Sequence, residues 1–338
     1  MKVITTTGFY GTGSSAITDL FKELDNVCVK DDYEFRIFCD PDGLSDLEYN
    51  LIDNPNRHNT SNAIKRYLKQ AKFLNGNKII KRYNAYFGDK FLKETEKYIE
   101  NICDFSYIGR WYFDVYERGK VFWFLSRVYS KIKKELVFII KKEKEREFTL
   151  LPEDEKCYAG TMERDKFVKY TKQYTSNLLN YFNNTNKEYV MLDQLVPPTN
   201  LKRYSEYYED ICIYIVDRDP SDIYILEKEY WHGKVSPVYD VKTFVMWYRW
   251  TRKQFEKFDI PKNAKKVQFE DMIYHYESTI NNIFKFANIS STHHVNKGKY
   301  FNPEISINNT RVWLNHPEYS SDIAYIEKEL KEYCYINY

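Results

Sequence analysis

An α/β fold is predicted for this chain: a parallel sheet flanked by helices, with a large, mostly helical insertion. Three observations predict it. Short, continuous apolar or β-branched runs recur at residues 2–7, 26–30, 189–193, 211–216 and 265–269, as expected of strands covered on both faces. The first run passes through glycines into apolar residues at 16, 17, 20, 21 and 24, which is helical spacing. Between the second and third runs, residues 44–187 change to a helical period, so the core is expected to comprise residues 1–43 and 188–338.

The first strand and its loop organise the rest. After Lys2-Val3-Ile4-Thr5-Thr6-Thr7 come Gly8, Gly11 and Gly13, then Ser14 and Ser15. Glycines allow a sharp turn that aims successive N–H groups at an anion, and the following helix N-terminus adds partial positive charge. Tyr10, Gly11, Thr12, Gly13, Ser14 and Ser15 are therefore expected to cradle a phosphate or sulfate. Against the P-loop pattern G-x-x-x-x-G-K-[ST], Ser14 stands where lysine belongs and Ser15 takes the hydroxyl position. That lysine reaches the β- and γ-phosphates of a nucleoside triphosphate, so its replacement weakens an ATPase or GTPase reading.

The second strand, 26–30, opens onto Asp31-Asp32-Tyr33-Glu34-Phe35-Arg36. Strand carboxyl ends line the ligand crevice of open α/β sheets, which makes Glu34 the general-base candidate, with His58 as the alternative. In the insertion, helices are predicted over Ala63–Leu74, Phe91–Ile102, Val115–Ile140 and Phe167–Phe182. The basic stretches at 131–134 and 141–146 read as a solvated face, with an anionic acceptor or a membrane surface as the alternative.

The run 189–193 delivers Asp193 to a strand end at the crevice, a second catalytic candidate beside Glu34, and Pro197-Pro198 then stop the strand. The run 211–216 ends in Asp217-Arg218-Asp219-Pro220, where a guanidinium can grip a phosphate through two parallel hydrogen bonds. A last strand leads into Phe269-Glu270-Asp271 and a helix reaching Ala287. Lys297-Gly298-Lys299 then suit a second phosphate contact or a lid, and a final helix covers Tyr319 to Tyr335.

Composition narrows the function. With 51 basic and 49 acidic residues the net charge is +2, which disfavours a general nucleic-acid binder. The 32 tyrosines, in a chain also rich in Lys, Asn and Ile, read as biased base composition, with carbohydrate stacking the lesser alternative. Six cysteines without a C-x-x-C pair, and no signal peptide ahead of the first strand, lead to the expectation of reduced thiols in a cytoplasmic protein without a transmembrane segment.

Four stretches in this order resemble the sulfotransferases that use 3′-phosphoadenosine 5′-phosphosulfate (PAPS). Gly8 to Ser15 is similar to their 5′-phosphosulfate loop, Leu192-Asp193-Gln194 to Pro198 to D-K-x-P, Arg218 to Asp222 to the R-x-P-x-D motif for the 3′-phosphate, and Phe269-Glu270-Asp271 to Y-E-D-L. Lys297-Gly298 is a weaker match to a late lysine-glycine loop. The chain departs from the pattern at Gly11 (Lys or Arg), Leu226 (Ser) and Gln194 (Lys). The resemblance implies PAPS as donor, no metal, a glycan or other small acceptor received by the insertion, and Arg218, Lys297 and Gly298 on the 3′-phosphate. Transition-state charge then falls to loop amides, Ser14, Ser15 or a basic residue from elsewhere, such as Arg36, Arg110 or Lys297. Two rivals are an Mg-dependent P-loop kinase or NTPase with Ser15 and Asp193 on the metal, and a catalytically silent nucleotide-binding protein.

Overall fold

The computed structural model describes residues 2–109, 114–142 and 155–338. Its strands are β1 (Lys2–Gly8), β2 (Val27–Glu34), β3 (Phe105–Gly109), β4 (Glu155–Ala159), β5 (Tyr189–Asp193), β6 (Ile211–Asp217) and β7 (Ala264–Gln268). The principal helices are α1 (Ser15–Lys22), α2 (Arg57–Asn75), α3 (Lys90–Ile102), α4 (Asp114–Lys141), α5 (Arg164–Phe182), α6 (Pro220–Ile225), α7 (Val241–Phe255), α8 (Tyr276–Ala287) and α9 (Ser320–Glu329). Five strands form one parallel sheet in the order β2-β5-β1-β6-β7, with helices on both sides: the protein is α/β.

The period of two explains the layers. Along β6, Ile211, Ile213 and Ile215 face one core, while Cys212, Tyr214 and Val216 face the other. The first core takes Tyr67 of α2, Phe91 and Tyr98 of α3 and Phe167 and Phe182 of α5, so residues between β2 and β5 cover one face of the sheet. The second takes Ile17, Leu20 and Phe21 of α1 with Ile280, Ile283 and Phe284 of α8. Buried Glu48 ties the helical segment down by accepting from Arg164 Nε (2.7 Å), Arg203 Nε (3.0 Å) and the Tyr207 hydroxyl.

Some boundaries differ from the sequence expectation. Strand β2 runs on to Glu34 through an irregular register between Val29 and Glu34, so Asp31 to Glu34 of the charged cluster belong to the strand while Arg36 follows it. Within the block read as helical, β3 and β4 form an antiparallel pair. Helix α9 stops at Glu329, and further on Asp219 Oδ2 accepts the Tyr335 amide at 2.8 Å. Arg110, Leu151–Asp154 and most of the basic run at 141–146 lie outside the described residues.

Candidate active site

β1 lies between β5 and β6, so its carboxyl end, where Gly8 gives way to the loop, is flanked by Asp193 and Val216. Tyr10, Gly11 and Gly13 have φ of 78°, 68° and 82°. At Gly11 a Cβ would stand 2.7 Å from the Trp231 ring, and at Gly13 2.6 Å from the Phe269 ring, so packing as well as backbone angle requires glycine there. Among the described residues no acceptor takes the amides of residues 10–15, and Gly13 O opens α1 by accepting from Ala16 N at 3.1 Å. Left-handed residues in series with open N–H groups at a helix start make an anion-binding concavity. Ser14 does not cap α1 with its side chain; its hydroxyl accepts from Gln194 Nε2 at 3.1 Å.

Arg218 follows β6 and is 2% exposed. Its guanidinium lies 4.5 Å from the Phe269 ring centroid and donates to Gly11 O (3.4 Å) and Asn309 O, while Nε is buried without a partner. Three buried carboxyls surround it, each clamping backbone. Asp222 accepts from Arg311 N (2.9 Å) and Val312 N (2.7 Å), Asp219 from Ser221 N and Tyr335 N (both 2.8 Å), and Glu270 from Asp219 N (2.9 Å). Burial pushes Asp222 and Glu270 up to about 7 against the pull of Arg218, and raises Asp219. The same burial lowers Arg218, but a guanidinium stays charged at neutral pH.

The remaining candidates divide. Glu34 pairs with Asp193 across β2 and β5 at the same sheet edge as the loop. Its carboxylate is 46% exposed and bound to Arg36 at 3.1 Å; Arg36 also holds Asp40 at 2.9 Å. Asp193 is 6% exposed and accepts from the Thr6 hydroxyl. His58 is exposed in the first turn of α2, where Asn56 caps its amide at 3.0 Å. Lys297 and Gly298 are not brought to the loop. Their segment is bound to Glu23, which follows α1, through Asn296 N (3.2 Å) and Tyr300 N (2.8 Å), about 12 Å along the helix from Ser15, and Lys297 Nζ is taken by Glu277 at 2.5 Å.

Two features escape sequence reasoning. Residues 309–312, rather than Lys297-Gly298, close over Arg218, because Asp222 pins their amides. Glu227, in the π-helical turn Leu226–Trp231, is 1% exposed, and its side-chain partner is the Tyr10 phenol. That phenol is pushed up by burial, then by the Glu227 charge and by its hydrogen bond to Glu227. One signal was available: Glu227 comes directly after the Leu that replaces the expected Ser.

No protein-family model matches the chain, and no curated protein matches it in sequence. Solved structures similar to it include the sulfotransferase domain from the curacin biosynthetic pathway, at 10% identity and TM-score 0.35 over 86% of this chain and 74% of that one. A sulfotransferase from Mycobacterium avium matches at 12% identity and TM-score 0.34, over 93% and 68%. One from Mycobacterium tuberculosis matches at 13% and 0.32, over 92% and 76%. These are distant likenesses of fold, and the chemistry is read from the site alone.

Proposed function

We propose that this protein is a sulfotransferase that moves a sulfuryl group from PAPS to a hydroxyl of a glycan or other small acceptor. The observation that carries the proposal is the loop of open amides at residues 10–15, without a triphosphate-binding lysine and with buried Arg218 touching it at Gly11 O. The amides and the start of α1 hold the sulfonate and 5′-phosphate, and Arg218 takes the 3′-phosphate once the segment around Asn309 yields its place. The acceptor oxygen attacks sulfur in line, the bond from sulfur to the bridging phosphate oxygen breaks, and adenosine 3′,5′-bisphosphate leaves with that electron pair. The hydroxyl proton goes to Glu34, oriented by Arg36 and set beside Asp193; Glu227, buried by Tyr10, is the carboxylate to compare with it. Positioning and oriented amide dipoles supply most of the catalysis.

The test is calorimetric titration with adenosine 3′,5′-bisphosphate in excess EDTA, then PAPS with a panel of hydroxylated acceptors. Binding is expected to persist, because neither the bisphosphate nor the phosphosulfate offers a β,γ-phosphate pair for Mg²⁺ to bridge. Binding of ATP only with Mg²⁺, and none of the bisphosphate, would give the site to a kinase or NTPase with Asp193 on the metal. Bisphosphate binding without transfer to any acceptor favours the silent nucleotide-binding protein.

A further inference from the structure

Helix α4 has its polarity reversed. Beyond the break at Gly119 (φ 85°), its buried positions are serines: Ser126 and Ser130 are each 1% exposed and donate to the helix's own carbonyls, Trp123 O at 2.8 Å and Ser126 O at 2.7 Å. A stripe of apolar residues lies on the side opposite these serines. Val121, Leu125, Val128, Ile132, Leu136 and Ile139 recur every three or four residues, which places them on one stripe, and they are 42–76% exposed. Burying serines while presenting this stripe to solvent is unfavourable unless something apolar meets it.

Charge says what that is. Between residues 119 and 140 the charged side chains are Lys120, Arg127, Lys131, Lys133 and Lys134 against the single acid Glu135. At 3.6 residues per turn, Lys120, Arg127 and Lys131 border one side of the stripe and Lys133 the other. A second copy laid on this stripe would set basic borders against basic borders, with one acid per helix to offset them. An anionic lipid surface satisfies both features: the stripe enters the acyl boundary, and the flanking cations reach the headgroups. No helix among the described residues is long and apolar enough to cross a membrane, and the exposed apolar surface of α4 is wide, since Trp123, Phe124, Tyr129, Phe138 and Ile140 are also 41–77% exposed beside the stripe. We propose that α4 lies in the interfacial plane of an anionic membrane, docking the protein on it along about 27 Å of helix from Val121 to Ile139.

The test is co-sedimentation of the full chain with vesicles of phosphatidylcholine alone and of phosphatidylcholine with phosphatidylserine. Binding is expected on the anionic vesicles and is released by salt. Leu125→Glu with Ile132→Glu lowers the partition about tenfold or more, and Lys131→Glu lowers it on anionic vesicles only. The unfolding transition stays in place, because both apolar side chains already face solvent. Failure of the wild-type chain to bind anionic vesicles at low salt overturns the proposal. So does a dimer, seen by sedimentation, that the double substitution dissolves, which would make the stripe a self-interface.

Discussion

Arg218 carries its charge where 2% of its surface meets solvent, with Asp219, Asp222 and Glu270 as its charged neighbours. In the proposed function it serves structure and ligand together, so its removal has two expected consequences. Arg218→Ala removes the buried donor to Gly11 O and Asn309 O and is expected to cost about 1.5–3 kcal/mol of stability, the range for hydrogen bonds made by a charged group. Arg218→Lys keeps the charge but not the planar fork. It should stay folded and lose about 1.5–3 kcal/mol of affinity for adenosine 3′,5′-bisphosphate, read by calorimetry. A folded Arg218→Lys chain with unchanged affinity takes Arg218 out of the donor site.

The loop between β1 and α1 acts as a unit, because its left-handed residues and its two ring contacts fix where the open amides point. Gly13→Ala adds a methyl 2.6 Å from the Phe269 ring at φ 82°. Either the loop or the ring must move. The expected result is roughly 1–3 kcal/mol less stability in denaturant titration, from backbone strain, together with loss of anion affinity. Ser14→Ala is the contrast: it removes a hydrogen bond from Gln194 and leaves the amides in place. Equal bisphosphate affinity in Gly13→Ala and wild type would show that the amides are not the cradle. This element was legible before folding, since a β-branched run, glycines and an amphipathic helix are local signals. The course of Lys297 was not, because its partner Glu277 is chosen by how the segment packs past α1.

For the molecule as a whole, the carboxyls around Arg218 set the response to pH. Asp222 and Glu270 titrate near 7 when folded and near 4 when unfolded. Between those values the unfolded chain has already lost protons that the folded one keeps, so stability falls as pH rises through the window. Scanning calorimetry should give a Tm roughly 2–4 °C higher near pH 5.5 than near pH 8, and Glu270→Gln should flatten the difference. A Tm that is level or rises over this interval would mean that these groups are ionised in the folded protein.

The sequence by itself determined the places of the five core strands along the chain, the glycine loop before α1, the four helices between β2 and β5, and the position of Arg218 after a buried strand. All of these come from local period and residue type. Tertiary structure alone decided the sheet order β2-β5-β1-β6-β7, the meeting of Glu34 with Asp193, the approach of Glu227 to Tyr10 and the closure of residues 309–312 over Arg218. The reason is one of distance along the chain. Asp222 holds Arg311 across 89 residues and Gln194 reaches Ser14 across 180, and such partners are selected by which buried polar groups need satisfying once the cores have formed.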